Sequence, residues 1–233
     1  MRLEGKVALV TGARGRLGPI WRAALEDAGA QVIGVDVLDY NLSTAGGCDA
    51  LVQQWGHVDI LVNNAGVDSR PDMGPGLAQA MVDVNVLGTS RLCFGIGAHM
   101  AARGRGAIVN IASLYGLVAP DLRYYDHRPD GWAKDALYGA TKAAVIQLTR
   151  DFAARFGPFG VRVNALAPGG IVAGTDALTQ GDPEFARKYT ARIPLGRMCR
   201  PADLAGPLVF LASDMSSFVT GQCLVLDGGY LAW

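Results

Sequence analysis

The stretch TGARGRLG, residues 11–18, follows the apolar run KVALV and leads directly into a segment with the pattern of a helix. A glycine-rich turn between a buried strand and a helix is typical of a dinucleotide-binding unit. In such a unit, Gly12 permits the tight turn, Gly15 lets the backbone approach a pyrophosphate, and Gly18 allows close packing of helix on strand. The N–H groups at the start of the helix would face the anion. The stretch therefore predicts a phosphate-binding loop.

The second apolar run provides evidence about the cofactor, because glycines alone also mark turns that bind no ligand. QVIGV is followed by Asp36, which lies 18 residues after Gly18. A carboxylate at this point accepts hydrogen bonds from the ribose hydroxyls and repels a 2′-phosphate. Arg14 favours the opposite preference, since its positive charge could meet a 2′-phosphate. Because we expect Asp36 to lie nearer the ribose, the sequence predicts NAD, with NADP as the less favoured cofactor.

Alternation of strands and helices sets the predicted fold class. The apolar, β-branched runs are uninterrupted, as in strands that are covered on both faces. Helix-length segments separate most of them, which predicts an α/β fold with a single Rossmann-type, doubly wound parallel sheet. We expect one NAD(P)-binding domain over residues 1–233. The predicted strands are 6–10, 31–35, 58–62, 107–112, 161–167 and 223–228, and the longest helical segments are 17–29, 76–102, 138–157 and 201–213.

The interval between the second and third predicted strands is too short for a full helix and a further strand. Only 22 positions separate Asp36 from Val58, where the next clear strand starts, and the helical segment CDALVQQWG already occupies much of that space. A parallel crossover alone requires a dozen or more residues. We therefore predict that the edge helix after the second strand, and its edge strand, are shortened or missing.

The composition argues against several classes of function. The 21 basic and 21 acidic residues balance, and no cluster of Lys or Arg suits nucleic acid or an anionic membrane. No apolar stretch is long enough to cross a membrane, and no signal-peptide pattern opens the chain. The four cysteines and three histidines are scattered, so we expect reduced thiols, a cytoplasmic location and no metal site.

Three further motifs carry a resemblance to a known family. NNAG (63–66), NIAS (110–113) and YGATK (138–142) occur in the order found in short-chain dehydrogenases/reductases, and the sequence resembles that family over residues 5–229. The usual glycine pattern of the family is T-G-x-x-x-G-x-G. Here the middle glycine comes one position early and Arg16 stands in its place, a spacing common in the longer, sugar-nucleotide-modifying branch.

The resemblance implies a catalytic group of four residues: Asn85, Ser113, Tyr138 and Lys142. Tyr138 and Lys142 lie four positions apart, hence on one face of a helix. A free tyrosine titrates at about pH 10, and a nearby ammonium together with an oxidised nicotinamide would favour its phenolate. By analogy, Tyr138 exchanges the proton with the substrate, Ser113 binds the same oxygen, Lys142 holds the nicotinamide ribose, and Asn85 holds a water.

The same resemblance implies further contacts with the dinucleotide. Asn41 lies where the family often has an aspartate against adenine, and the backbone near Gly169 and Ile171 would meet the nicotinamide amide. Thr175 is a candidate contact and equally an ordinary loop hydroxyl. In full, the expected cofactor-binding residues are Gly12, Arg14, Gly15, Arg16, Leu17, Gly18, Asp36, Asn41, Leu42, Asn63, Ala65, Gly66, Tyr138, Lys142, Pro168, Gly169, Ile171 and Thr175.

Two segments are candidates for substrate binding. Ser113 and Tyr138 are 25 residues apart, wider than is usual in the family, and the insertion 114–137 between them is rich in charged and aromatic residues. Long loops in compact domains are often binding loops or lids, although a solvent-facing loop or a subunit contact would fit as well. Residues 171–198 match the substrate lid of the family. The content of the insertion suits a hydroxylated or anionic small molecule.

The sequence thus predicts an NAD(P)-dependent oxidoreductase that interconverts a secondary alcohol and a ketone. Two alternatives remain open at this stage. One is a redox-neutral sugar epimerase or dehydratase that uses bound NAD, and the other is a non-catalytic dinucleotide sensor or assembly subunit. The resemblance also implies a homo-oligomer, a tetramer or a dimer.

Overall fold

The computed structural model describes residues 3–68, 76–172 and 182–233. Within these residues, six parallel strands form one sheet in the order β2-β1-β3-β4-β5-β6. The inner strands are almost entirely buried because helices cover both faces of the sheet. This confirms the predicted doubly wound parallel sheet. The strands are β1 (Val7–Thr11), β2 (Gln31–Val35), β3 (Ile60–Asn63), β4 (Gly106–Ile111), β5 (Val161–Pro168) and β6 (Cys223–Leu226).

Two layers of helices enclose the sheet. Trp21 and Leu25 pack with Leu204 and Leu208 on one face, and the helices that carry Leu51, Leu92, Ile96 and Phe152 cover the other. None of the helices in the three described ranges is long and apolar enough to cross a membrane. The helices are α1 (Gly18–Asp27), α2 (Ala45–Trp55), α3 (Leu77–Met81), α4 (Thr89–Ala102), α5 (Ala136–Phe156), α6 (Pro183–Thr190) and α7 (Pro201–Ala212), and a π-helical segment (Val82–Gly88) joins α3 to α4.

The connection from β2 to β3 is short, as predicted. Residues 36–59 are all described, and α2 is the one helix among them, with no strand. The connection crosses β1 and leaves β2 at the edge of the sheet. The Thr44 hydroxyl accepts a hydrogen bond from the Gly47 amide at 3.1 Å and caps α2. A Cβ atom on Gly47 would lie 2.1 Å from the carbonyl oxygen of Asn41, so this turn requires glycine.

Candidate active site

A cavity of about 560 Å³ opens at the carboxyl ends of the strands, where ligands bind in open α/β sheets. Its walls come from the glycine loop, the end of β2, the turn after β3, the end of β4, the start of α5 and the loop after β5. Most of the sequence-predicted residues meet there. Those that line the cavity are Gly12, Gly15, Arg16, Leu17, Asp36, Asn41, Leu42, Ala65, Gly66, Ser113, Tyr138, Lys142, Pro168, Gly169 and Ile171.

The three glycines of the loop have different steric environments. Gly12 has a φ of +62°, and a Cβ there would lie 2.8 Å from Cα of Ala65. A Cβ on Gly18 would lie 2.4 Å from the carbonyl oxygen of Gly12, so this position packs α1 against the loop. A Cβ on Gly15 would meet one atom within 4 Å, the Gly12 oxygen at 3.3 Å, and Gly15 faces the cavity. Gly15 therefore leaves room for a ligand, and Leu17, the N-cap residue of α1, makes no side-chain capping hydrogen bond.

Three charged groups interact where β2 ends beside the glycine loop, and of these Asp36 lines the cavity. One oxygen of Asp36 accepts the Arg14 amide at 2.7 Å, and its other oxygen accepts the Val37 amide at 2.8 Å. The Arg14 guanidinium, which is expected to reach a 2′-phosphate if NADP binds, pairs with Asp39 at 2.8 Å. Asp39 also accepts the amide of Asp36 at 2.8 Å. Arg14 is thus neutralised and does not line the cavity.

Ser113, Tyr138 and Lys142 converge at the inner end of the cavity. Lys142 is 6% exposed, and its Nζ donates to the carbonyl oxygen of Ile111 at 2.8 Å. Burial lowers the pKa of Lys142 to about 8, opposed by the charge of Asp68. Lys142 Nζ lies 5.9 Å from the ring centroid of Tyr138.

The pKa of Tyr138 differs from the expectation. Burial raises it above its usual value of 10, and the charge of Asp68 raises it further. A hydrogen bond with Ser113 and the charge of Arg16 oppose this rise. Desolvation of the phenolate therefore outweighs the nearby positive charges in this structure.

Asn85 lies on the π-helical segment, a distortion that frequently marks functional positions. Its side chain accepts the Val67 amide at 2.7 Å and donates to the Val67 carbonyl at 2.9 Å and to the Thr141 hydroxyl at 3.0 Å. Asn85 thus holds the turn after β3 against α5, and it does not line the cavity. The water that the family resemblance implies at Asn85 stays a prediction.

Other predicted cofactor residues also lie away from the cavity wall. Asn63 is 4% exposed and donates to the side chain of Asn110 at 2.8 Å, so it joins β3 to β4. The expected contact of this turn with adenosine stays a prediction. Gly18 is absent from the wall because it packs against the loop backbone. Thr175 lies outside the described residues.

Arg16 lines the cavity and does not fill it. Its side chain extends from the glycine loop to the loop after β5, where its guanidinium donates to the Ile171 carbonyl. The charge of Arg16 also lowers the pKa of Tyr138. Arg16, which stands at the usual glycine position, therefore connects the glycine loop with the loop after β5. The sequence predicts that the nicotinamide half of a cofactor lies between these two loops.

The insertion packs against α6 as one unit. His127 Nε2 and Asp182 Oδ1 lie 2.7 Å apart, and Lys188 binds Asp126 and donates to the Arg123 carbonyl at 3.0 Å. Tyr125 packs on Phe185 with 5.4 Å between ring centroids. The insertion is therefore a wall of the cavity and not an isolated loop.

Several residues that line the cavity are not among the site residues expected from the sequence. Asp68 follows NNAG by two positions, and Lys134 lies within the insertion, so proximity to these motifs was the available signal. No sequence signal marked the aromatic residues, because tertiary packing alone brings them to the cavity. The residues concerned are Tyr40, Asp68, Tyr115, Lys134, Phe185 and Tyr189.

These features fit an NAD(P) dinucleotide. The open space at Gly15 and the amide groups at the start of α1 suit a pyrophosphate, and Asp36 suits a ribose. Among the described residues, no group of three or more His, Cys, Asp or Glu could hold a metal ion.

Comparisons with known proteins agree with this geometry. A family model described as Enoyl-(Acyl carrier protein) reductase matches residues 2–231. The chain is 34% identical to 3-oxoacyl-(acyl-carrier-protein) reductase FabG of Thermotoga maritima, over 98% of this chain and 99% of that protein. It is 35% identical to galactitol 2-dehydrogenase (L-tagatose-forming) of Cereibacter sphaeroides, over 100% of this chain and 97% of that protein.

A solved structure extends the likeness to three dimensions. The crystal structure of a gluconate 5-dehydrogenase from Burkholderia cenocepacia, in complex with NADP and tartrate, superposes with a TM-score of 0.81 at 30% identity. The match covers 100% of this chain and 97% of that one. The motifs, the parallel sheet and these matches lead to one conclusion: the chain belongs to the short-chain dehydrogenase/reductase family.

Proposed function

We propose that this protein is an NAD-dependent oxidoreductase that interconverts a secondary alcohol and a ketone on a polar, hydroxylated or anionic small molecule. The observation that carries the proposal is the convergence of Ser113, Tyr138 and Lys142 in the same cavity as the glycine loop. A proton-transfer group and a dinucleotide-binding loop in one cavity suit hydride transfer.

Each of the three residues has a distinct role in the proposal. Ser113 accepts the Tyr115 amide at 3.2 Å and interacts with the Tyr138 hydroxyl, so a substrate oxygen at this point would contact both hydroxyls. Tyr138 takes the hydroxyl proton during oxidation and returns it to the ketone oxygen during reduction. Lys142, anchored on Ile111, would bind the nicotinamide ribose. NAD supplies the hydride chemistry when bound, and the protein supplies position and charge.

The proposed preference for NAD over NADP rests on charge. Asp36 accepts two backbone amides, and Asp39 pairs with Arg14, the arginine that is expected to meet a 2′-phosphate. With Arg14 and Asp39 paired, the carboxylate of Asp36 at the ribose site disfavours that phosphate. The gluconate 5-dehydrogenase structure contains NADP, so the ratio of kcat/KM for the two cofactors is the deciding measurement.

The test follows nicotinamide absorbance with NAD and then with NADP across sugars, polyols, hydroxy acids and simple secondary alcohols. Tyr138→Phe should bind NADH as the wild type does and lose at least about a hundredfold in kcat, the range of general acid–base catalysis. Near-normal turnover by Tyr138→Phe would contradict the mechanism. If NADH binds but no net redox change occurs, the epimerase, dehydratase and sensor alternatives are favoured. Analysis of the products by NMR then distinguishes the two enzymes from the sensor, which forms no product.

A homo-oligomer, tetramer or dimer, is part of the proposal. Phe94, Phe159 and Phe218 are large apolar side chains with more than half of their surface exposed, and such residues favour burial between subunits. Light scattering after gel filtration tests this. The cytoplasmic location stays a prediction.

A further inference from the structure

An ion pair that is not among the predicted cofactor contacts lies in the cavity. Nζ of Lys134 lies 2.8 Å from each carboxylate oxygen of Asp68. Lys134 comes from the insertion, and Asp68 comes from the turn after β3. The Lys134 side chain is 9% exposed and that of Asp68 is 41% exposed, and both residues line the cavity.

The pair is adjacent to the proposed proton-transfer group. Lys134 Nζ lies 4.8 Å from the ring centroid of Tyr138, closer than the 5.9 Å of Lys142 Nζ. The charge of Asp68 also reaches Tyr138 and raises its pKa. A substrate whose reacting oxygen meets Tyr138 would therefore place its neighbouring atoms against Lys134 and Asp68.

The charge balance of the pair favours a neutral, hydroxylated group over a carboxylate. An ammonium has three N–H donors and a carboxylate accepts several hydrogen bonds, so an ammonium–carboxylate pair can bind a further group that both donates and accepts. A hydroxyl group both donates and accepts, and it can bind Lys134 and Asp68 together. A substrate carboxylate would meet the like charge of Asp68, and an alkyl chain would cover polar atoms without satisfying them.

Aromatic residues complete this part of the cavity. Tyr115 and Tyr125 line it, and each affects the pKa of the other's hydroxyl. Tyr125 is close enough to Asp68 for its pKa to be raised by that charge, in addition to the larger effect of burial. Ring faces beside a polar pair suit a carbon chain that presents C–H groups on one side and hydroxyls on the other.

We propose that Lys134 and Asp68 together bind the hydroxyl on the carbon next to the reacting carbon, so that the preferred substrate is a vicinal diol of a polyol or sugar. The inference rests on the proposed function. In oxidation, the carbon-bound hydrogen leaves as hydride to NAD, the hydroxyl proton passes to Tyr138, and the product is an α-hydroxy ketone.

The first experiment compares three four-carbon substrates with NAD: butane-2,3-diol, butan-2-ol and 3-hydroxybutanoate. We expect kcat/KM for the diol to exceed both others at least tenfold. Equal values for diol and monoalcohol would overturn the inference and leave the proposed function intact. Preference for 3-hydroxybutanoate would assign Lys134 to a carboxylate and also overturn it. If no secondary alcohol is oxidised while NADH still binds, the proposed function fails and the inference fails with it.

The second experiment uses variants of the pair. In Lys134→Met and in Asp68→Asn, the ratio of kcat/KM between butane-2,3-diol and butan-2-ol should fall at least tenfold, with the Kd for NADH within threefold of wild type. Arg123→Gln is the matched control, because Arg123 forms an ion pair with Asp121 in the same insertion and is not in the cavity wall. It should keep the wild-type ratio. An unchanged ratio in whichever pair variant folds and binds NADH would overturn the inference.

Discussion

The hydroxyl oxygens of Tyr124 and Tyr230 lie 2.9 Å apart, although 106 residues separate them in the chain. Tyr124 belongs to the insertion and Tyr230 to the carboxyl-terminal segment, and both are at most 5% exposed. Tyr189 of α6 packs on both rings, with centroid distances of 5.6 Å and 5.2 Å. Three segments distant in sequence therefore share one aromatic cluster, and Tyr189 of this cluster lines the cavity.

This cluster leads to a prediction about stability. Tyr124→Phe should lower the free energy of unfolding by about 1–2 kcal/mol, because it leaves the hydroxyl of Tyr230 buried without its partner. Tyr230→Phe should have a similar effect, and the double variant should cost less than the sum of the two. Urea unfolding of the four proteins measures the coupling. Strict additivity would show that the two hydroxyls do not stabilise each other.

The main features of the fold were predictable from local sequence patterns. Uninterrupted apolar runs predicted all six strands, and the count of residues between Asp36 and Val58 predicted the shortened edge. Both signals are local, because the burial of each strand is indicated by the hydrophobicity of its own residues. Two contacts could not be predicted in this way: Tyr124 with Tyr230, and Lys134 with Asp68. They depend on tertiary packing, which the spacing of residues along the chain does not indicate.

For the candidate site too, local patterns predicted which residues come together but not how they interact. The four-residue spacing of Tyr138 and Lys142 indicated that they share a helix face, and both line the cavity. The spacing could not indicate that burial would dominate the pKa of Tyr138. Nor could the motif NNAG show that Asn63 hydrogen-bonds to Asn110 across the sheet.

The ion pair between Arg14 and Asp39 leads to a prediction about the cofactor. Asp39→Ala frees the guanidinium that Asp39 now binds at 2.8 Å and removes one carboxylate from the ribose end. We expect kcat/KM with NADP to rise about tenfold relative to NAD, which corresponds to about 1.4 kcal/mol. Initial rates with both cofactors measure the ratio.

The control for this prediction is a second substitution in the same background. Arg14→Ala added to Asp39→Ala should reverse the gain with NADP, because the released positive charge is then absent. If Asp39→Ala alone leaves the ratio of the two cofactors unchanged, Arg14 does not reach a 2′-phosphate.

The buried ammonium of Lys142 leads to a prediction about pH. Burial lowers its pKa from 10.5 to about 8, so between these values the unfolded chain binds more protons at this group than the folded protein does. The contribution of Lys142 to stability therefore rises with pH across this window, by about 1–3 kcal/mol in total. Urea unfolding of wild type and Lys142→Met at pH 7 and pH 9.5 measures it. The two proteins would change in parallel if the folded pKa were normal.

Gly15 and Gly18 provide a matched test of the proposed pyrophosphate site. The backbone of Gly15 is not left-handed, and a methyl group there would meet one oxygen at 3.3 Å, so Gly15→Ala should fold with nearly unchanged stability. It should nevertheless raise the Kd for NADH at least tenfold, or about 1.4 kcal/mol, because the methyl group enters space that the ligand needs. Gly18→Ala places its Cβ 2.4 Å from the Gly12 oxygen and should destabilise the protein by about 1–3 kcal/mol. NADH fluorescence titration and thermal unfolding separate the two effects. Unchanged NADH binding by a stable Gly15→Ala protein would mean that the pyrophosphate does not approach the loop at this position.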